Sequence, residues 1–266
     1  MTSQPPEISE CAVCDGQASE SLTLTIFQQD RTLLQCDTCE AAYFQDPDWL
    51  EIAYTDAISS LDTGIVERCV DVANVLTPFL WRQKGATALD FGGGIGLLAR
   101  LMRDRGFDFI SRDPISSYVL PLPEREESHV YLITMIEVLE HLTNPLAVLE
   151  ECLSNCDLVF ISTHLIPTSG LSPDWHYLQP NTGQHIFFCS EVTLKRIASS
   201  LGVMVTSNGE NLHVFHREPL TYLQRCVIKN QRLSWLIGHL SAIFTRNRGL
   251  ADADADAKVS KNQPTP

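Results

Sequence analysis

Residues Ala88–Gly96 read ALDFGGGIG, and this stretch decides the fold. An apolar run closes on Asp90, and glycines follow at alternate positions, Gly92, Gly94 and Gly96. Leu97-Leu98-Ala99-Arg100-Leu101-Met102 then carries apolar residues at helical spacing. The pattern is a strand, a tight glycine turn and a helix. Glycine accepts the backbone angles such a turn needs and lets a ligand touch the main chain. The first N–H groups of the helix are open to the same ligand. A dinucleotide fold uses G-x-G-x-x-G, spaced for a pyrophosphate. Here the pattern is D-x-G-x-G-x-G, with an acid ending the strand. A glycine loop used only for packing is the plain alternative.

Downstream, strands and helices alternate, which predicts a parallel, doubly wound α/β sheet. A helix over Ile95–Arg105 stops at Gly106, and the strand FDFIS runs into Arg112-Asp113-Pro114. Asp113 ends the second strand. A carboxylate there can accept from both hydroxyls of a ribose, whereas an Asp-Pro turn is the structural alternative. The short, acidic segment 115–128 offers no assignable adenine contact. HVYLITM (His129–Met135) is a buried strand that leads into EVLEHL, Glu137 to Leu142. Asn144-Pro145 opens the next helix, and DLVFIS (Asp157–Ser162) is the next strand. Gly183-Gln-His185-Ile precedes a helix from Ser190 to Ser200. Residues 203–216 read as a hairpin turning at Asn208-Gly209, and 219–244 as an amphipathic helix.

The motif from Asp90 to Gly96, Asp113 and EVLEHL resemble the class I S-adenosylmethionine (SAM) methyltransferases. With the GQHI block and the N-terminal cysteines, the chain resembles a bacterial methyltransferase-23-like group. That resemblance implies a Rossmann-like methyltransferase sheet with a small N-terminal zinc ribbon. It implies SAM held by Asp90, Gly92, Gly94, Gly96, Asp113 and Glu137. It further implies a hydroxyl of a sugar or nucleotide-sugar as acceptor, in glycan synthesis. The sequence departs from the group at His176, where a second aromatic is usual, and in the shortened stretch after Asp113.

Several readings stand side by side at the reaction centre. His185 is the candidate general base, with His141 the lesser one, and Glu137 orients substrate or cofactor. Glu137, Glu140, His141 and His185 also resemble a divalent-metal site for Mg²⁺ or Mn²⁺ in certain O-methyltransferases. E-x-x-E-H is common in class I methyltransferases that bind no metal, where the Glu orients substrate or SAM, and His141 can be purely structural. Trp175 and Tyr177 can stack on a sugar or pack as core.

Cys11-x-x-Cys14 and Cys36-x-x-Cys39 flank residues that alternate as a hairpin, LTLTIF and Arg31–Gln35. Paired knuckles at this spacing predict a four-thiolate zinc ribbon, structural because no coordination position stays open. Unrelated buried cysteines or a redox pair are the alternatives.

Composition bounds the rest. The 266 residues carry a net charge of −14 and 44% hydrophobic residues. That charge argues against nucleic acid as a partner, and so against the rival reading of a zinc-ribbon enzyme acting on RNA; a protein substrate is the other form of that rival. The remaining rival, an interaction protein with a decayed site, is opposed by the intact glycine motif. No apolar run reaches membrane-spanning length, and MTSQPPEISE lacks the features of a secretory signal, so a cytoplasmic protein is expected. The expected division is a zinc-ribbon module at 1–45, a linker and leading helix at 46–84, and the methyltransferase domain at 85–218. A helical extension at 219–248, suited to docking, a homo-oligomer or weak peripheral membrane contact, precedes a disordered tail at 249–266.

Overall fold

The computed structural model describes residues 9–54, 62–83, 85–116, 118–120, 122–123, 126–245, 250 and 254. The chain begins with β1 (Ser9–Glu10), β2 (Gln17–Ile26), β3 (Gln29–Cys36) and β4 (Ala42–Tyr43). Helices α1 (Leu50–Ala53) and α2 (Ile65–Phe79) lead to β5 (Thr87–Phe91), α3 (Leu97–Asp104) and β6 (Asp108–Arg112). Next come β7 (Val130–Ile136), α4 (Pro145–Ser154), β8 (Cys156–Ser162) and β9 (Phe187–Phe188). The chain continues through α5 (Glu191–Ser200), β10 (Met204–Ser207), β11 (Leu212–His216), α6 (Tyr222–Lys229) and α7 (Gln231–Thr245). No helix among the described residues is long and apolar enough to cross a membrane.

Contacts divide the chain into two compact units, one of residues 1–55, 137–154 and 161–217, the other of 56–136, 155–160 and 218–266. This division runs differently from the linear one expected from the sequence. Its reason is visible in the first unit, where an antiparallel sheet has the order β1-β2-β3-β4-β9. Ala42 pairs with Phe188 and Tyr43 with Phe187, so the cysteine-bearing hairpin takes a strand from the GQHI block. One core follows: Leu24, Ile26, Leu33, Phe44 and Trp49 pack with Tyr177, Ile186 and Phe188. The β2–β3 turn is two residues, Phe27 and Gln28, both left-handed (φ 47° and 65°). That hand matches the twist of a tight hairpin although neither residue is glycine. Two helices of this unit are capped from the sequence: Asn144 accepts from Ala147 N at the start of α4, and Ser190 with Thr193 forms a capping box on α5.

In the second unit the strand order is β8-β7-β5-β6, β5 lying parallel to both β6 and β7. This is the mostly parallel α/β sheet that the alternating pattern predicted. Register pairs Asp90 with Ser111 and with Thr134, which puts the strand ends carrying Asp90 and Asp113 side by side. The amphipathic stretch at 219–244 forms two helices rather than one, because Asn230 leaves helical geometry (φ −120°, ψ 62°). Helix α7 docks on α2. Gly238 sits against the Asn74 backbone where a Cβ could not fit, and Trp235 Nε1 donates to Asp71 Oδ1 at 2.6 Å. Leu233, Leu236, Ile237 and Leu240 remain exposed on α7. The tail lies outside the described residues apart from Leu250 and Asp254. Asp254 bonds Arg103, which is buried, and Arg100.

Candidate functional site

In the second unit, Gly92, Gly94 and Gly96 all adopt left-handed backbone, with φ of 67°, 56° and 78°. The turn is pinned by Gly92 N to Arg112 O and Gly96 N to Gly93 O, both 2.8 Å, and Gly96 opens α3. Asp90 lies beneath it, fully buried, and accepts from Thr134 Oγ1 at 2.9 Å. A Cβ on Gly93 would collide with Asp90 Oδ2 and Ser111 Oγ, so that glycine is required by space. Burial pushes the Asp90 carboxyl up to about 7, the Thr134 bond opposing and the Asp113 charge adding. A carboxylate so placed gains from a cation beside it.

Asp113 ties the next loop together. Its Oδ2 accepts from Gly94 N at 2.9 Å, and its Oδ1 accepts from Ile115 N and Ser116 N at 2.8 and 2.9 Å. Three of its four lone pairs are thereby used on backbone, so a ribose would have to share or displace one of them. The segment beyond folds back over the turn: Leu120 N donates to Ile95 O at 2.9 Å, and buried Leu122 touches Gly96. Sequence reading found no contacts in this segment, whose prolines and acids carry no periodicity. A Cβ on Gly96 would lie 2.5 Å from Leu122 Cδ1. Gly96→Ala is therefore expected to cost about 1–3 kcal/mol of stability in a denaturant melt. It should also weaken SAM binding at least about tenfold by calorimetry. Wild-type values in both assays would refute this account of the turn.

In the first unit, Glu137 is left-handed (φ 53°) immediately after β7, a position that strains any residue but glycine. Its N–H donates to Ser162 O at 2.9 Å. Its Oε1 accepts from Ser162 Oγ at 3.0 Å and its Oε2 from the Tyr177 hydroxyl at 3.1 Å. The same hydroxyl oxygen is within hydrogen-bond reach of Glu140 Oε1 and 3.2 Å from Thr163 Oγ1, so its one proton is shared between the two carboxylates. Leu139–His141 form a 3₁₀ turn that points Glu140 inward, fully buried. Glu140 Oε2 is buried with no hydrogen-bond partner among the described residues. Burial, then the neighbouring Glu137 charge, pushes Glu140 well above the usual carboxylate range.

Two histidines stand beside this pair. Buried His185 donates Nδ1–H to Tyr177 O at 2.7 Å, which leaves Nε2 as the basic nitrogen. His141 Nδ1 lies 2.6 Å from the Tyr54 hydroxyl and 3.1 Å from Gln184 O. The two imidazoles meet edge to face at 4.9 Å. Burial, then the Glu140 charge, raises the Tyr54 phenol and keeps it protonated. Ligand atoms of Glu140, His141 and His185 all lie within 4.8 Å of one another, and Glu137 is outside this group. The structure thus brings Glu140, His141 and His185 within ligand reach of one another, while Glu137 reaches Glu140 only through the Tyr177 hydroxyl. Sequence reading missed Tyr54, Ser162 and Thr163, which no motif marks. Tyr177 is buried, as the core reading had it, but its role as the hub of the network was missed. Trp175 is half-buried against Tyr177 and Phe188, and His176 is exposed.

The four N-terminal cysteines converge. Their Sγ atoms lie within 4.8 Å of one another, with Cys11–Cys39 at 3.6 Å and Cys14–Cys36 at 3.5 Å. A tetrahedral ZnS₄ site with bonds of about 2.3 Å needs edges of about 3.8 Å, so the donors fit zinc. The two knuckles repeat one geometry. Cys11 N donates to Gly16 O and Cys36 N to Ala41 O, while Asp15 and Glu40, each following the second cysteine, are left-handed. Val13 N and Thr38 N reach Cys11 and Cys36 sulfur, both at 3.4 Å, as N–H groups do to stabilise thiolates. Hydrogen bonding to Cys39 pushes the Cys11 thiol down to about 5, and Cys39 correspondingly up.

Residues 67–208 match the family described as Methyltransferase domain. No curated protein matches the chain. Among solved structures it is similar to TnmH, with 19% identity and a TM-score of 0.46 over 65% of this chain and 62% of that one. It is similar to CalO1, a methyltransferase in calicheamicin biosynthesis in its SAH-bound form, with 13% identity and a TM-score of 0.40 over 55% of this chain and 54% of that one. It is also similar to magnesium protoporphyrin IX methyltransferase from Synechocystis PCC 6803 with bound SAH, with 15% identity and a TM-score of 0.44 over 64% of this chain and 94% of that one. The chain thus spans less than two thirds of TnmH and of CalO1.

Proposed function

The chain belongs to the methyltransferase-domain family, and from that premise we propose that it methylates a hydroxyl of a small sugar-type acceptor using SAM. One observation carries the cofactor half: three left-handed glycines open the backbone above the buried carboxyl of Asp90. That carboxyl suits a ligand bearing an ammonium or sulfonium. When bound, SAM supplies an electrophilic methyl group on a positively charged sulfur. The chain must hold the acceptor in line and keep water out. His185 Nε2 takes the hydroxyl proton, and the bond from Nδ1–H to Tyr177 O fixes the ring in the tautomer required. Glu137, held by Ser162 and Tyr177, orients the acceptor. Its left-handed backbone costs about 1–3 kcal/mol, a strain kept only where the surroundings enforce it. Zinc on Cys11, Cys14, Cys36 and Cys39 is structural, since four thiolates leave no open position.

The test is SAM turnover against a panel of sugars and nucleotide sugars. His185→Ala is expected to lower kcat by about 10²–10⁴-fold with SAM binding intact. Wild-type rates in His185→Ala and Glu137→Gln would remove both residues from the mechanism.

A second reading is favoured by the unpartnered Glu140 Oε2. A divalent ion there would ionise Glu140 and sit with His141 and His185, while Glu137 stays with Ser162 and Tyr177. One carboxylate and two imidazoles suit Mn²⁺ or a later transition metal better than Mg²⁺. Such an ion would lower the pKa of an acceptor hydroxyl. Elemental analysis showing a second metal besides zinc, lost in Glu140→Gln, would support it. Zinc alone, with turnover unaffected by Mn²⁺, would leave His185 as the base.

A further inference from the structure

Helix α7 turns small residues to the protein and large apolar ones to water. Ser234 and Gly238, one turn apart, are buried. Gly238 abuts the Asn74 backbone of α2, and Ser234 Oγ donates to Val227 O of α6 at 2.8 Å. Leu233, Leu236, Ile237 and Leu240 follow the i, i+3, i+4, i+7 spacing that lines side chains along one stripe, and they are 41–57% exposed. A helix that served only its own domain would bury such a stripe. Tyr222 and Leu223 of α6 and Trp235 of α7 are exposed as well.

The charge of this region is opposite to that of the chain. Between Glu218 and Asp252 the sequence has no acid, and Arg225, Lys229, Arg232, Arg246 and Arg248 give it +5 in a chain of net charge −14. Arg225, Lys229 and Arg232 are exposed and enter no ion pair among the described residues. Two copies joined through this face would set one cationic segment against another, which disfavours self-association. An anionic lipid surface matches both halves of the pattern, acyl chains for the stripe and headgroups for the cations. The acids elsewhere on the chain are screened beyond a Debye length of about 8 Å. At 15 residues α7 is about 22 Å long, too short to cross a bilayer core of about 30 Å and suited to lie in its interface.

We propose that α6 and α7 dock the protein on an anionic bilayer surface, the stripe from Leu233 to Leu240 entering the acyl boundary and Arg225, Lys229 and Arg232 reaching the headgroups. The stripe is presented in advance, because Gly238 and the Trp235–Asp71 bond fix α7 to α2 by its other residues. Docking requires neither the acceptor nor the base proposed above.

The test floats the full-length, zinc-replete protein with vesicles of phosphatidylcholine alone and of phosphatidylcholine and phosphatidylserine in equal parts, in low and high salt. Partition onto the mixed vesicles should exceed that onto phosphatidylcholine at least about tenfold and should fall as salt rises. Leu236→Ser with Leu240→Ser should lower it at least about tenfold. The same pair should leave the thermal midpoint and SAM affinity unchanged, because both side chains already face water. Arg225→Gln, Lys229→Gln and Arg232→Gln together should bring binding to the mixed vesicles down toward that on phosphatidylcholine. Absence of flotation, equal flotation on both vesicles, or flotation unchanged in the double serine variant would overturn the proposal. Sedimentation velocity identifies the rival occupant: a dimer that the serine variant dissolves, with no flotation, assigns the stripe to a second copy.

Discussion

Stripping zinc from the four-cysteine site, by chelation or through Cys39→Ser, is expected to abolish methyl transfer while SAM affinity stays within about twofold of wild type. Structural zinc binding is worth on the order of 10 kcal/mol, comparable to the whole stability of a domain. Its loss spreads because the ribbon is not separate. β4 pairs with β9, Thr193 Oγ1 donates to Cys39 O at 2.8 Å, and Trp49 Nε1 donates to Gly183 O at 2.8 Å. His185 lies two residues before β9, and Tyr177 shares a core with Leu24 and Leu33. Without zinc, His185 and the network hub would lose their seating. The glycine turn and Asp90 belong to the other unit and keep theirs. Elemental analysis, turnover and SAM calorimetry on one preparation decide the matter. Zinc-free protein with full turnover would contradict this.

SAM binding near neutral pH is expected to release protons from Asp90. Burial holds its carboxyl at about 7 in the free protein, so about half of the molecules are protonated at pH 7. The positive charges of SAM beside it would favour the carboxylate and expel that proton. Calorimetry in buffers of different ionisation enthalpy should report release of about half a proton at pH 7, approaching one at pH 6 and none near pH 8.5. Asp90→Asn should show no release and bind at least about tenfold more weakly. The same shift sets a stability trend for the free protein. A carboxyl raised when folded contributes stability that is complete below its unfolded pKa of about 4 and is lost as pH rises through about 7. Three units correspond to about 4 kcal/mol at most. Ligand-free Asp90→Asn should therefore gain stability over wild type above pH 7 and not below pH 4. Buffer-independent binding heats would sink the assignment of Asp90 as the cation's partner.

Why these two arrangements show in the sequence, and others do not, follows from the range of the forces involved. Three alternate glycines after an acid mark a turn because the turn needs left-handed backbone at those residues. Paired C-x-x-C marks a candidate metal site because the ligand geometry is local. Asp113 was legible as a strand-end acid, yet its commitment to three backbone N–H groups depends on a loop without pattern. The pairing of Ala42–Tyr43 with Phe187–Phe188 was not legible, since two residues carry no periodicity and the partner is remote. For the same reason Tyr177 read only as a stacking or core-packing ring. Its hydroxyl joins Glu137, Glu140 and Thr163 only after those distant segments meet. Glu137 showed its residue type but not its left-handed backbone, which no local turn residue announces.

The remote pairing of β4 also bears on how the chain is made. The cysteines and Ala42 leave the ribosome first, but the partner strand at Phe188 follows roughly 7–30 s later at ordinary synthesis rates. Through that interval the outer edge of β4 stands open, an invitation to wrong pairing with other nascent chains. A metal captured early by Cys11, Cys14, Cys36 and Cys39 would hold the knuckles closed and in register until β9 arrives. An ion bound there would act on newborn chains as a chaperone built into the sequence.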